Sequence, residues 1–161
     1  MTEAIRRAAR EDAADITAMI HELAEFERAP EQCTVTETHL SAMLFGDHPT
    51  FHGHVAEVDG EIAAMALWFL RYTAFGGAGI YLEQLFVRPG FRRRGLARAL
   101  LSALARECLD NGGKRLTWSV LNWNSDAIAL YDRIAGRGQP QRECTTYLVS
   151  GPRLIELAGP G

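Results

Sequence analysis

The order of elements predicts an α/β fold of the α+β type. It is a mixed, mostly antiparallel central sheet of about six or seven strands, flanked by about four helices. Three observations carry that expectation. Strand-like segments cluster around Asp59-Gly60 in the first half of the chain. A strand–helix–strand crossover follows in the second half. No internal repeat or long linker divides the 161 residues, so a single domain over 1–161 is expected.

Each element has a local reason. Ile5 to Ala9 reads as a short first strand. In "EDAADITAMIHELAEFE" Ile16, Ile20, Leu23 and Phe26 recur at helical spacing behind an acidic start. A second helix carries Leu40, Met43 and Leu44 and ends near Gly46. Thr34 has capping-box spacing to Glu37, with Thr36 as a competing N-cap. "FHGHVAEV" and "EIAAMALWFL" flank Asp59-Gly60, a strong two-residue hairpin signal. "YTAFGGAG" reads as a glycine-rich loop and "IYLEQLFV" as a strand stopped by Pro89-Gly90. From Gly95 to Asn111 the apolar positions Leu96, Leu100, Leu104 and Cys108 share one helix face. "KRLTWSVL" is a strand, "NSDAIALYDRIAG" a shorter helix and "ECTTYLV" a last strand.

Composition narrows the function classes. The net charge of −3 gives no general reason to expect a nucleic-acid partner. No apolar run reaches the ~20 residues of a membrane span, and no apolar segment follows the basic N-terminus as in a secretory leader. Three separated cysteines make no disulfide framework. The expected setting is cytoplasmic. His52 and His54 share one strand face near His48, too few ligands for a closed metal site, so no metal is expected.

The charge is concentrated in "VRPGFRRRGLA". A strand, a tight turn, a glycine and a helix start together make an anion site. The first N–H groups of a helix lack internal partners, and the helix dipole adds positive character. Gly95 admits a close approach to the backbone, Ala97 keeps the next turn small, and Arg92, Arg93, Arg94 and Arg98 supply charge. A solvated basic helix start is the plain alternative. The P-loop and dinucleotide fingerprints are both absent.

"Arg92-Arg93-Arg94-Gly95-Leu96-Ala97" resembles the R/Q-x-x-G-x-G/A signature of the GNAT N-acetyltransferases. "YLEQLFV" before it and "NWNSDAIALY" after it strengthen the match. Across nearly the whole chain, "ELAEFE", "VAEV", "YLE..FV" and "WN..AI.LY" are most similar to the diamine (spermidine/spermine-type) branch. The resemblance implies that acetyl-CoA is the co-substrate. Its pyrophosphate would lie on the backbone of Arg92, Arg93, Arg94, Gly95, Leu96, Ala97 and Arg98. Its pantetheine arm would run along Leu85, Phe86 and Val87, with Asn124 and Ala127 as further contacts. It also implies a homodimer.

The chemistry needs two groups. An alkyl ammonium, with a pKa near ~10.4, is neutral in only about one molecule in a thousand or fewer at pH 7, so a base is required. The departing CoA thiolate needs an acid. Glu83, a charged residue inside an apolar strand, is the base candidate; alternation places it on the side of Tyr81 and Leu85. Tyr131, two helical turns beyond Asn124, is the acid candidate by resemblance. Locally it reads as a packed aromatic.

Phe26, Glu27, Glu83 and Gln84 match positions lining the acceptor channel. Polyamine-specific relatives carry an acidic residue at the position of Gln84 and a tryptophan at that of Cys144. Both departures favour a smaller amine, a short diamine or a lysine-like amino acid, over a long polycation. The family's Gly-aromatic pair reads Ala135-Gly136-Arg137 here. The resulting expectation is acetyl transfer from acetyl-CoA to a small primary amine. A protein N-terminus, an antibiotic amine, or acyl-CoA binding without catalysis stand as alternatives.

Overall fold

A computed structural model describes residues 3–136 and 148–159. The chain forms two compact units, Met1–Leu121 and Asn122–Gly161.

The first unit holds one sheet of five strands in the order β1-β2-β3-β4-β5. They are β1 (Glu3–Arg7), β2 (His52–Val58), β3 (Glu61–Thr73), β4 (Gly77–Val87) and β5 (Leu116–Thr117). The first four pair antiparallel, and β5 joins β4 in parallel. This confirms the mixed, mostly antiparallel sheet. The described strands number five rather than six or seven; "KRLTWSVL" supplies β5, though only two of its residues keep strand conformation. The proposed last strand "ECTTYLV" lies mostly in 137–147, outside the described residues, as does Cys144; Leu148 and Val149 carry no strand.

The β2–β3 connection is the predicted two-residue turn. Asp59 (φ 51°) and Gly60 (φ 84°) are both left-handed, the hand that matches the twist of the flanking strands. The "YTAFGGAG" stretch is not a loop. β3 runs on to Thr73 and β4 starts at Gly77, so most of the stretch pairs in the ladder.

Helices α1 (Ala13–Phe26) and α2 (Glu37–Phe45) cover one face of the sheet, and α3 (Leu96–Asp110) packs on the strands through its own apolar stripe. Ile16, Met19, Ile20 and Leu23 of α1 meet Leu40 and Leu44 of α2 over Val55, Met65, Leu67 and Phe86. The central strand β3 is buried continuously from Ile62 to Trp68, as a strand covered on both faces must be. Thr36, rather than Thr34, caps α2, accepting the His39 N–H at 3.3 Å. Among the described residues no helix is long and apolar enough to cross a membrane.

Two buried polar groups lock this unit. Asp12, 4% exposed, accepts from Arg6 Nη1 and Nη2 at 2.7 and 2.9 Å and from the Ala9 N–H at 2.7 Å. Burial alone would raise its carboxyl. The Arg6 and Ala9 hydrogen bonds and the Arg6 charge outweigh that and hold it below the usual carboxylate value. Buried His54 accepts the Trp68 Nε1–H on Nδ1 at 3.1 Å, which leaves its proton on Nε2, facing Glu107 of α3 at 3.8 Å. Burial, reinforced by Arg7 and opposed by Glu107, pushes His54 down to about 4.

The second unit holds α4 (Ser125–Ala135) and a short α5 (Pro152–Ala158), the latter not foreseen from sequence.

Two stability predictions follow from the locks. Asp12→Ala lowers the unfolding free energy by about 2 kcal/mol near neutral pH, because Arg6 and the Ala9 N–H both lose their buried acceptor. A carboxyl depressed in the native state stabilises above its unfolded value, ~3.9, and that stability is lost as pH falls through the native value. Urea titrations of both proteins therefore converge below pH ~4. His54 has the opposite charge type. Between ~6.5 and about 4 the unfolded chain binds a proton that native His54 refuses, so stability falls as pH drops through that window. Between pH ~7 and ~5 this removes roughly 1–2 kcal/mol from the wild type, and His54→Asn abolishes that component.

Candidate functional site

The site is built on β4. Its register against β3 jumps: Leu67 pairs with Gln84 and Trp68 with Leu82, so Glu83 is the extra residue of a β-bulge. Cross-strand partners share a face. Tyr81 lies opposite Phe69 and Leu85 opposite Ala66, an odd number of positions apart on β3, so Tyr81 and Leu85 occupy opposite faces. The expected alternation through Tyr81, Glu83 and Leu85 therefore breaks at Glu83. The carboxylate itself is exposed.

β5 pairs with β4 only at Ile80 and Tyr81. The Tyr81 hydroxyl and Ser119 Oγ, 3.1 Å apart, hold the last joint contact. Beyond it the β4 edge through Leu85, Phe86 and Val87 meets no strand among the described residues, and its backbone is available to an extended ligand. Phe86 is 5% exposed and belongs to the core, so only its main chain can take part. Leu85 and Val87 are half-buried.

β4 leads through Pro89–Phe91, a single 3-10 turn, into the arginine run. Arg93 (φ 65°) and Gly95 (φ 84°) are left-handed, while Arg94 between them is not. This alternation of hand turns successive N–H groups toward one concavity, a backbone anion cradle. A non-glycine residue at positive φ is uncommon, and such backbone clusters where a ligand is held. A Cβ placed on Gly95 would meet nothing within 4 Å, so the mouth of the cradle is open. The first helical bond runs from the Ala99 N–H to the Gly95 carbonyl, leaving the amides of Leu96, Ala97 and Arg98 without a helical acceptor. The donor set fits a diphosphate.

The arginines divide. Arg92 is held by its own unit: its Nε donates to the Val87 carbonyl at 3.0 Å, and its guanidinium lies 5.3 Å from the Phe26 ring and 5.9 Å from Phe86. Arg94 lies over Phe91 at 5.5 Å. Arg93 and Arg98 are exposed.

A cleft of about 480 Å³ opens between α1, α2 and β4. It brings Glu27 and Gln84 together, as the sequence expected, and Glu27 is the one carboxylate in its lining. Partial burial raises the Glu27 carboxyl. Phe26 is not in the lining; it packs under Arg92. Gln32, Cys33, His39 and Phe51 also line the cleft, and sequence reading missed them. They come from the 3-10 turn at Pro30–Gln32 and the residue after it, from α2 and from the bend before β2, and no local spacing unites them.

In the second unit Asn124 caps α4, its Oδ1 accepting the Ala127 N–H at 3.3 Å. The two proposed cofactor contacts are thus joined to each other. Tyr131 lies two turns further along the same helix, and burial raises its hydroxyl above the usual value.

The chain is similar to known proteins in sequence and in fold. A thialysine N-epsilon-acetyltransferase of Caenorhabditis elegans is 41% identical over 122 residues, covering 76% of this chain and 75% of that protein. The enzyme of the same name from Sus scrofa is 34% identical, with 96% of each chain covered. A Vibrio cholerae integron cassette protein superposes with a TM-score of 0.80 at 22% identity over 99% of each chain, which establishes the fold. A family model described as the acetyltransferase (GNAT) family matches residues 16–136, and with that match over most of its length the chain belongs to the GNAT family of acetyltransferases.

Proposed function

We propose that this chain transfers the acetyl group of acetyl-CoA directly to the primary amine of a small, lysine-like molecule. The observation that carries the reading is on β4. One strand presents an unpaired edge, ends at an open left-handed amide cradle and bulges outward at a carboxylate. GNAT acetyltransferases use acetyl-CoA, and the cradle has the donor set for its diphosphate.

Leu85, Phe86 and Val87 offer main-chain groups to the pantetheine arm, and Arg93, Arg94, Gly95, Leu96, Ala97 and Arg98 hold the diphosphate. Arg92 shapes the turn from inside. Asn124 and Ala127, joined at the start of α4, are further cofactor contacts by the resemblance. Glu83 accepts, through a water, the proton the ammonium must lose before its nitrogen bonds the acetyl carbon. As the carbon–sulfur bond breaks, Tyr131 gives its proton to sulfur. A hydroxyl pushed above its usual value is fully protonated at neutral pH, as a donor must be. The Leu85 amide polarises the thioester carbonyl. The family match spans the boundary at Leu121, which supports a single domain over 1–161. We expect a homodimer acting in the cytoplasm, as the resemblance and the cysteine usage imply.

The acceptor class rests on the cleft. The lining mixes apolar side chains with neutral polar ones, Gln32 and Gln84 among them, and holds one carboxylate, Glu27, so a single remote ammonium is accommodated better than a chain of them. The relatives named thialysine N-epsilon-acetyltransferase act on such a molecule, by their names.

Release of free CoA thiol in the presence of acetyl-CoA and an amine panel tests the reading. Thialysine or lysine is expected to exceed spermidine in kcat/KM by at least about fivefold, the worth of one exposed ion pair. Absence of turnover with every amine overturns it; tight acetyl-CoA binding without turnover identifies a non-catalytic module instead. Tyr131→Phe is expected to lower kcat by about 10²-fold with both KM values changed little, and an unchanged kcat removes the acid role.

A further inference from the structure

We propose that Arg88 is a positioning residue for the cofactor cradle, held by a carboxylate stripe on α1. It is the residue between the last strand position of β4 and Pro89, and its side chain is 18% exposed. Its Nη1 lies 3.1 Å from Asp15 Oδ1 and donates to the Ile62 carbonyl at 2.8 Å. Its Nε and Nη2 both lie 3.2 Å from Glu22 Oε1. Its backbone is held as well: the N–H donates to the Ala63 carbonyl at 3.0 Å, and the carbonyl accepts the Phe91 N–H at 2.9 Å. Side chain and main chain together tie this one residue to α1, β3 and the 3-10 turn.

The stripe continues. Asp15, Glu22 and Phe26 recur at intervals of seven and four, which places them along one face of α1. Glu22 holds Arg88 and Phe26 holds Arg92, so α1 grips the loop at its root and again just before Arg93 and Gly95. Pro89 fixes its own φ and restricts Arg88, whose φ of −54° and ψ of 138° are the extended values required before proline. With both ends of the 3-10 turn tethered, the direction in which the cradle amides point is set by Arg88.

A purely stabilising role does not account for the arrangement. Asp15 and Glu22 are 47% and 38% exposed, and ion pairs that wet contribute little to net stability. What two carboxylates and a carbonyl give a planar fork is direction.

This inference rests on the reading that the cradle holds the acetyl-CoA diphosphate, so its experiment has one arm that needs no cofactor. The first arm is amide hydrogen exchange of the apo protein. Arg88→Ala is expected to speed exchange in 89–96 while β2 stays protected, and Arg88→Lys is expected to restore part of the protection. The second arm is calorimetric binding of CoA. Arg88→Ala is expected to weaken it on the order of tenfold, the loss of a charge-assisted hydrogen bond, with acceptor KM unchanged. Glu22→Gln, which keeps shape and removes charge, gives a smaller loss and has no further effect in the Arg88→Ala background. Should Arg88→Ala fail to fold, Glu22→Gln and Arg88→Lys carry both arms. Unaltered exchange in 89–96 and unaltered CoA affinity overturn the role of Arg88. Failure of the wild type to bind CoA, with exchange altered as expected, overturns the cofactor reading instead and leaves the clamp in place.

Discussion

β4 must be two things at once, and the rest of the first unit follows from that constraint. On one side it is a full member of an antiparallel ladder with β3. On the other it pairs with β5 at two positions and beyond them meets no strand among the described residues. An unpaired strand edge is costly in water and hazardous between proteins, because its N–H and C=O groups seek partners. Here the opening is short, is bounded by the Tyr81–Ser119 contact, and runs into a turn whose own amides face outward. The exposed backbone is suited to a linear ligand that supplies the missing hydrogen bonds.

The bulge at Glu83 is the second consequence. One extra residue lets a carboxylate stand at the open edge while Leu82 and Phe86 on either side stay buried. Without it, strict alternation would put Leu82 and Phe86 on one face; with it, Phe86 turns to the face of Met65 and joins the core under α1 and α2, while Leu82 stays on the face of Trp68. Packing thus explains why the irregularity is tolerated, and its place beside the cleft that Gln84 lines explains its use.

α1 connects these features. Its inner face supplies Ile16, Met19, Ile20 and Leu23 to the core, another stripe meets Arg88 and Arg92, and its C-terminal end contributes Glu27 to the cleft. A helix that is core, loop support and cleft wall has little freedom to move. The buried Asp12–Arg6 pair just ahead of it anchors its start to β1 and β2. The His54–Trp68 bond does the same for the opposite face, where Glu107 of α3 approaches the imidazole.

Local chemistry made much of this legible in advance. The Asp59-Gly60 turn, the apolar stripes of α1 and α3, and the junction of strand, arginine run and Gly95 all depend on neighbours within a few positions, so residue type and spacing sufficed. The motif around Gly95 pointed to an anion, and its resemblance to a family pointed to which one. Other features depend on distant partners and carry no such signal. The bulge is invisible because an extra residue is defined only against the register of β3. "YTAFGGAG" looked like a loop because glycine weakens the local strand signal, yet cross-strand pairing holds most of it in the sheet. Arg92 read as one of a run of like charges, and nothing local told that its guanidinium lies against Phe26, far away in sequence. Arg88 attracted no notice, since Asp15 and Glu22 meet it only once α1 lies beside the end of β4. Sequence by itself determined the elements and the cradle, which are short-range properties of the chain. Tertiary structure alone decided which charged groups are spent on holding the loop, Arg88 on Asp15 and Glu22 above all, because long-range packing chooses their partners.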